Sequence, residues 1–439
     1  MNAPFMCESV APDATAPVGL PRSVSLRKNF ALSFTGNVIY AACQWGILIC
    51  IAKLGTPAML GQFALGLAIA APIFMMTGLQ LRAVLATDSR NEYRFGDYLA
   101  LRISGVALGL IVVAACLGIA GLSRDTCVIV LAVVAAKAIE SLSDIIYGLW
   151  QKHERFEKMA IALSGRGLCS LGAVAAVLYL TRSMAWSIAA MAACWALWLA
   201  TYERSRAGDV LASALPRENL RPAWRWLSLK SLMKLSWPFG LVMLLLSLTS
   251  NIPRYFIQHD LGEAALGYFA AMAYAFVAGN TIVAAMGQSA VPRLSRMFHT
   301  DQPAFVRLLR RMALLAGILG VAGVGLAILF GSAILRVLYR ADYANYKPLF
   351  VWLMVAAALA YVASIFGYGM TAARAFRPQV PLYSVVAITA AVSCWLLIPR
   401  LGLMGAAYAA FIAAIVSSGG GAYVVLRALR VDSRRKVMQ

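Results

Sequence analysis

Long apolar runs alternate with short polar stretches along most of the chain. A helix needs roughly 20 consecutive apolar residues to cross a bilayer, and about twelve runs come close to that length. They predict spans at 29–52, 58–81, 99–122, 126–149, 158–180, 183–203, 234–257, 264–289, 309–332, 346–370, 380–398 and 402–426. We therefore expect an all-α polytopic membrane protein with about 12 transmembrane helices.

Positive charge falls almost entirely on every second loop between these spans. Of the 39 Lys and Arg residues, 29 lie on one side of the predicted spans and 8 on the other, and the remaining two, Lys137 and Arg166, lie inside spans. Lys and Arg concentrate in cytoplasmic loops. The distribution therefore predicts that both termini are cytoplasmic.

The composition fits a membrane protein and argues against nucleic-acid binding. The chain is 62% hydrophobic and 13% charged, with a formal net charge of +21. Because the cations are scattered over short loops, they are typical of topology determinants that contact anionic lipid head groups. The eight cysteines and three histidines show no metal-ligand spacing, so we expect neither a metal nor a cofactor.

Composition also divides the chain into segments. The polar start is expected to be a disordered cytoplasmic tail. The longest loop contains Trp224 and Trp226, and we expect it to be a linker able to form an amphipathic surface helix. The predicted segments are a tail at 1–24, an N-terminal six-helix lobe at 25–205, the cytoplasmic linker at 206–233, a C-terminal six-helix lobe at 234–430 and a basic cytoplasmic tail at 431–439.

The two predicted lobes carry similar sequences. From Leu54 the chain reads LGTPAMLGQFALGLAIA, and from Leu261, 207 residues later, it reads LGEAALGYFAAMAYAF. Six spans per lobe start both lobes on the same side, so the repeat is parallel, with a pseudo-twofold axis along the membrane normal. Two such bundles enclose a cavity that rocking exposes to alternate sides, which is a transporter architecture.

The first span carries a polar face. Ser33, Asn37, Tyr40 and Gln44 recur at spacings of 4, 3 and 4, which is one side of a helix. Polar groups inside membranes face neighbours or a cavity rather than lipid. Two interpretations stay open: these groups line the cavity and bind sugar, or they make helix–helix hydrogen bonds.

The seventh span carries a matching face, with Ser247, Asn251 and Arg254 at spacings of 4 and 3. The repeat offset relates Asn251 to Gln44 and Ser247 to Tyr40, so both faces are predicted to border the same axis. A guanidinium binds phosphate oxygens bidentately, which makes Arg254 a candidate phosphate ligand. The alternative is that it snorkels to the membrane surface.

The fourth span has the densest charge. Lys137, Glu140 and Asp144 share one face, and Arg166 in the fifth span lies at a similar depth. A central charge costs about 2.5–3.5 kcal/mol to insert, so these four residues are predicted to pair. The network is either a structural tie between the two spans, or it opens during transport: Lys137 and Arg166 bind phosphate while Glu140 or Asp144 binds a proton or sodium ion.

Several segments resemble one protein family across nearly the whole chain. They are GQFALGLAIAAPIFMMTGLQLRAVLATD (61–88), WPFGLVMLLLSLTSNIPRYFI (237–257), LGYFAAMAY (266–274), SAVPRLSRMF (289–298) and ILRVLYRADYA (334–344). They resemble bacterial oligosaccharide flippases that export lipid-linked sugar repeats for O-antigen or capsule. Those flippases belong to the multidrug/oligosaccharide-lipid/polysaccharide exporter (MOP) superfamily.

The resemblance implies a function for the cavity. It implies an inner-membrane protein that moves undecaprenyl-pyrophosphate-linked oligosaccharide from the cytoplasmic to the periplasmic leaflet, without a cofactor. Its partners would be this substrate, membrane lipid, and a polysaccharide polymerase with chain-length machinery. Phosphates cannot cross bare hydrocarbon cheaply, so the cavity would be polar and wet.

Two other functions stay open at this point. A multidrug/cation antiporter of the same superfamily would need anionic cavity residues, which Glu140 and Asp144 could supply and which Lys137, Arg166 and Arg254 oppose. An O-antigen polymerase or ligase would resemble proteins with a large periplasmic loop, whereas every predicted outer loop here is short. We therefore expect a transporter and not an enzyme.

Overall fold

A computed structural model describes residues 26–88, 90–214, 218, 220–375 and 377–437. These residues form helices and connections without a β-strand; the predicted tail at 1–24 lies outside them. The helices are α1 (Leu26–Leu54), α2 (Pro57–Thr77), α3 (Leu81–Thr87), α4 (Phe95–Ile119), α5 (Arg124–Lys152), α6 (Phe156–Thr181), α7 (Met184–Trp198), α8 (Arg204–Ala214), α9 (Trp226–Thr300), α10 (Gln302–Leu338), α11 (Lys347–Ala372), α12 (Gln379–Leu401) and α13 (Leu403–Val437).

Helix α9 contains two membrane spans. Its 75 residues would extend about 110 Å at 1.5 Å per residue, several times the thickness of a hydrocarbon core. Gly262 interrupts it with a φ of 83°, a left-handed conformation that glycine adopts without a steric penalty. We call residues 226–261 the first arm and 263–300 the second arm. The described residues contain 11 stretches able to span a membrane; with α9 counted as two, the predicted twelve spans are confirmed.

Several helices continue beyond the apolar runs that predicted them. The first arm of α9 begins at Trp226 rather than at 234, and the second arm ends at Thr300 rather than at 289. Likewise α13 continues to Val437, into the predicted basic tail. Hydropathy detects only the part of a helix inside hydrocarbon, whereas the helix itself extends into water wherever its hydrogen bonding continues.

The predicted linker is partly helical and partly packed. Helix α7 runs through a π-helical turn, Leu199–Glu203, directly into α8. In α8, Ala207, Val210 and Leu211 are buried in a cluster that includes Leu149 of α5. The apolar face of α8 therefore packs on the N-terminal half of the protein, while Trp226 at the start of α9 is 74% exposed.

The helices form two lobes. In the N-terminal lobe α1 packs on α6, and α5 packs on α2 and α7; in the C-terminal lobe α11 packs on α10 and α13, and α12 on α13 and α9. We call the membrane face with the α7–α9 connection the linker face, and the face with the kink at Gly262 the distal face. The lobe limits predicted from sequence, 25–205 and 234–430, stay predictions.

The two lobes meet at a pair of repeat-related glycines. A Cβ atom on Gly61 would lie 1.8 Å from the carbonyl oxygen of Glu263, and one on Gly267 would lie 1.9 Å from that of Pro57. A shift of 206 residues relates Gly61 to Gly267 and also Pro57 to Glu263; it is one less than the shift at Leu54 because the first repeat has one more residue between its two Leu-Gly pairs. Such a reciprocal contact is what a twofold axis produces. The pseudo-twofold axis therefore passes between α2 and the second arm of α9.

Polar side chains add to this contact at the distal face. Gln62 Nε2 donates to Glu263 Oε2 at 2.9 Å, and the Thr126 hydroxyl donates to the other oxygen of Glu263. Elsewhere at the distal face, Trp45 Nε1 donates to the hydroxyl of Tyr339 at 3.3 Å. The N-terminal and C-terminal lobes are thus joined across the distal ends of α1, α2 and α5.

At the linker face, polar contacts join the beginnings of α4 and α9. The guanidinium of Arg225 pairs with the buried carboxylate of Asp97, and that hydrogen bond raises the pKa of Arg225. Close by, Tyr93 and Ser231 share a hydrogen bond of 2.9 Å. These contacts connect the start of α4 to the start of α9.

Candidate functional site

Four helices of the N-terminal lobe bring together a cluster of charged and aromatic side chains. Glu140 on α5 accepts from Tyr40 of α1 at 2.8 Å and from Lys137 at 2.6 Å, and its Oε1 lies 3.2 Å from Arg166 Nη2 of α6. The Arg166 guanidinium also lies 4.1 Å from the ring centre of Trp195 on α7. We call these five residues the N-lobe cluster. Both oxygens of its single acid are held by cations.

The cluster is deep at one end and accessible at the other. Arg166 is 1% exposed, whereas the side chains of Lys137 and Glu140 are 29% and 27% exposed. Within the described residues, Nε and Nη1 of Arg166 meet no hydrogen-bond acceptor. The face of Trp195 attracts the cation but does not replace those hydrogen bonds. Arg166 therefore has two donors available to a ligand that reaches the cluster.

The structure places Asp144 in a second cluster. Its two oxygens bind Arg82 and Arg102, each at 3.1 Å. Sequence spacing grouped Asp144 with Arg166, and that grouping is not what the structure contains. The chain breaks after α2 at Gln80, which has a φ of 51°, and α3 then packs on α5 and brings Arg82 to Asp144. Arg82 lies just after the predicted span 58–81, so the sequence pattern gave no reason to pair it with Asp144.

The residues on the predicted polar face of the first span make different kinds of contact. Tyr40 points into the N-lobe cluster. Asn37 is exposed and donates to the backbone oxygen of Ser33 at 2.7 Å. Gln44 is half-buried, and its Nε2 meets no acceptor in the described chain. Tyr40 thus makes a contact between helices, while Asn37 and Gln44 have hydrogen-bonding capacity left for a ligand.

The polar face of the seventh span lies in the first arm of α9. Asn251 is 6% exposed, donates to the backbone oxygen of Ser247 at 2.8 Å and accepts from Arg254 Nη1 at 3.0 Å. Arg254 Nε is buried without an acceptor among the described residues. Arg254 also lines a cavity of about 470 Å³ inside the C-terminal lobe. Its guanidinium is therefore held inside the lobe rather than only at the membrane surface.

That cavity is mainly apolar and lies between α9, α11, α12 and α13. Small side chains form much of its wall, including Ala357, Ala360 and Ala413, and the Tyr383 ring also lines it. Arg254 is the charged group among the lining residues. The two lobes therefore differ in chemistry: the N-terminal interior holds paired charges, and the C-terminal interior holds an apolar space beside one cation.

Sequence analysis missed a buried acid, Glu203. It lies in the π-helical turn, is fully buried, and accepts from the Tyr147 hydroxyl at 2.6 Å. Its Oε2 meets no donor in the described part of the chain. In sequence Glu203 directly precedes Arg204 and Arg206, so it has the pattern of a loop start. The apolar residues of the predicted sixth span continue at helical spacing through residue 211, and this pattern could have indicated that Glu203 lies inside a helix.

Taken together, these side chains offer donors for oxygen ligands. Arg166 and Arg254 each carry a buried N–H group without an acceptor, and such groups are costly to leave unsatisfied. Phosphate and carboxylate oxygens match guanidinium geometry. In the ranges that the structure describes, no three His, Cys, Asp or Glu side chains are grouped so that they could hold a metal ion.

Comparison with known proteins identifies the family. The profile described as "Polysaccharide biosynthesis protein" matches residues 26–298, more than half of the chain. The capsular polysaccharide biosynthesis protein CapF of Staphylococcus aureus is 24% identical over 381 residues, which cover 87% of this chain and 94% of CapF.

Solved structures share the fold. The lipid II flippase MurJ, in an inward closed conformation, superposes with a TM-score of 0.71 at 11% identity, covering 93% of this chain and 90% of MurJ. The Vibrio cholerae MATE transporter VcmN gives a TM-score of 0.62 at 14% identity, covering 92% and 96%. The chain is therefore a multi-pass membrane protein of the polysaccharide biosynthesis protein family, with the two-lobed helical fold that MurJ and VcmN share.

Proposed function

We propose that this protein is a flippase that moves undecaprenyl-pyrophosphate-linked oligosaccharide from the cytoplasmic to the periplasmic leaflet of the bacterial inner membrane. Family membership supports a role in polysaccharide biosynthesis, and CapF and MurJ carry names of capsule synthesis and lipid flipping. The excess of cations on the linker face supports a cytoplasmic position for that face and for both termini.

The observation that carries the proposal is the set of unsatisfied donors on Arg166. A pyrophosphate supplies several charged acceptor oxygens, and hydrogen bonds between ions are stronger than neutral ones. Lys137, at the accessible edge of the N-lobe cluster, would meet the phosphate first, and Arg254 would bind it from the other lobe. With the lobes joined at the distal face, the substrate would enter from the linker face.

Sugar groups would be bound by neutral polar side chains. Asn37 and Gln44 have hydrogen-bonding capacity, and Tyr40 contributes an aromatic face beside Arg166. Asn251 and Ser247 would act from the C-terminal lobe, on the same arm as Arg254. The lipid tail would stay in the bilayer, so the cavity must open sideways during the cycle.

Ion coupling would follow from competition for the cations. Phosphate that binds Lys137 and Arg166 withdraws both partners from Glu140, and an acid without its cations binds a proton or sodium ion more readily. Asp144 would act in the same way if Arg82 or Arg102 moved. Substituting Glu140→Gln and Asp144→Asn singly tests this; full dependence on the ion gradient in both variants would contradict it.

A multidrug/cation antiporter is the second candidate, because VcmN shares the fold. An antiporter would need an acid free to bind the drug cation. Glu140 and Asp144 are each held by two cations, which favours the flippase.

The experiment is to disrupt the gene and locate the lipid-linked oligosaccharide. A flippase defect traps the completed substrate in the cytoplasmic leaflet and removes surface glycan. Loss of surface glycan with substrate already in the periplasmic leaflet would indicate a polymerase or ligase instead. Unchanged glycan with increased sensitivity to cationic drugs would indicate an antiporter.

A further inference from the structure

A buried polar column runs along α5 from the N-lobe cluster toward the linker face. Glu140, Ser143 and Tyr147 are spaced 3 and 4 residues apart, so they lie on one side of the helix. Ser143 and Tyr147 are 0% and 4% exposed. Over 7 residues the column rises about 10 Å. At its end, Glu203 accepts the Tyr147 hydroxyl hydrogen bond.

Glu203 differs from the other acids described in the N-terminal lobe interior. Glu140 binds Lys137 and Arg166, and Asp97 binds Arg225, whereas Glu203 has no cation within 4 Å among the described residues. One of its oxygens has no donor, although the residue is fully buried. A buried carboxylate without a partner is costly, and such a group becomes neutral by binding a proton.

The groups that surround Glu203 come from three elements. Ser143 and Tyr147 face it from α5, with Glu140 further along the same helix, and Tyr202 precedes it in the π-helical turn. The charge of Arg166 on α6 stabilises its carboxylate without a direct contact. Arg166 is the cation that can respond to its charge, because Nε and Nη1 of Arg166 are unpartnered while Nη2 binds Glu140. Single π-helical turns inside α-helices are frequent at functional sites.

We propose that Glu203 is a further proton-binding site of the N-terminal lobe, which acts together with Glu140 through Arg166. A proton from the cytoplasm adds to Oε2 and converts the carboxylate to a neutral acid, while Oε1 keeps the hydrogen bond from Tyr147. Release of that proton restores a negative charge that attracts the unpaired side of Arg166 and weakens its contact with Glu140. The guanidinium of Arg166 thereby links proton binding at Glu203 to the strength of the ion pair at Glu140. This inference rests on the proposed transport function only for its coupling step.

Proton binding is tested directly, without substrate, by infrared spectroscopy of the purified protein in lipid. The wild-type protein is expected to show the carbonyl band of a protonated carboxyl group that disappears as pH is raised. Glu203→Gln is expected to lose that band, and the exposed control Glu154→Gln to keep it. Since glutamine retains an oxygen for Tyr147, Glu203→Gln should fold. An unchanged band in Glu203→Gln would overturn the proposal.

Coupling is tested by transport into the periplasmic leaflet with and without a protonophore. The wild type and Glu154→Gln are expected to slow when the proton gradient collapses, and Glu203→Gln to be insensitive to it. Tyr147→Phe, which removes only the hydrogen bond, should shift the infrared titration without abolishing it. Loss of the band together with unchanged protonophore sensitivity would overturn the coupling role. A wild type that moves no lipid-linked oligosaccharide would refute the proposed function instead, and the infrared result would stand separately.

Discussion

Arg166 combines two contacts with two unpartnered nitrogens, and no other residue type reproduces this arrangement. Its Nη2 pairs with Glu140, its plane lies against Trp195, and two further nitrogens have no protein acceptor in the described chain. A planar fork with several fixed donors can pair with an acid and still present donors to a phosphate. Lysine carries the same charge but lacks the planar guanidinium group and its fixed set of N–H donors.

We therefore expect Arg166→Lys to lower transport at least tenfold, about 1.4 kcal/mol, although the charge is preserved. The measurement is the rate at which lipid-linked oligosaccharide becomes accessible at the periplasmic leaflet. Lys158→Arg, on the same helix but outside the N-lobe cluster, is the control and should transport normally. Equal rates for Arg166→Lys and the wild type would mean that charge alone suffices.

For Arg254 we predict an effect on substrate affinity rather than on transport rate. Because a hydrogen bond to a charged group contributes about 1.5–3 kcal/mol, Arg254→Gln should bind undecaprenyl pyrophosphate roughly 10- to 150-fold more weakly. Arg336→Gln removes an exposed arginine of the same lobe and should leave affinity unchanged. Equal loss in both variants would show that the effect is general electrostatics and not a site.

At the scale of elements, the crossing of α2 with the second arm of α9 is a backbone-to-backbone contact between the lobes. The absence of side chains at Gly61 and Gly267 lets the two backbones touch. Closing and opening the distal face requires this contact to form and to separate. A side chain there would keep the arms apart.

Gly267→Leu is accordingly expected to hold the distal face open and to lower transport at least tenfold. In a cysteine-free background carrying Thr126→Cys, a membrane-impermeant maleimide should label the Gly267→Leu protein from outside, whereas the parent stays protected because Thr126 is fully buried. Gly325→Leu is the control, since a Cβ atom added at Gly325 meets nothing within 4 Å. Protection that persists in Gly267→Leu would contradict a gate at this crossing.

At the scale of the whole molecule, the sequence predicted the spans because the bilayer itself imposes them. Every span must supply about 20 apolar residues, so hydropathy alone finds it. The LG motifs at Leu60 and Leu266 indicated two related lobes, but not that their glycines touch each other across the axis. That contact depends on how the lobes are placed, and a linear pattern contains no such information.

Pairing inside the site was harder to predict for the same reason. The contact of Arg166 with an acid followed from depth along two adjacent helices. The partners of Asp144 depend on the break at Gln80 and on the packing of α3, and the burial of Glu203 depends on a π-helical turn. Local departures from regular helix decide these contacts, and an ideal helical repeat cannot anticipate them.

The central claim is that the two lobes carry a lipid-linked oligosaccharide across the bilayer. It is tested most directly with the purified protein in liposomes that contain fluorescent undecaprenyl-pyrophosphate oligosaccharide in both leaflets, quenched from outside by a membrane-impermeant reductant. We predict that the fraction lost rises from the share in the outer leaflet alone, near half, toward completion with the wild-type protein. With Arg166→Lys this rise should be at least tenfold slower. Wild-type liposomes that stay near half, with and without a proton gradient, would contradict the account.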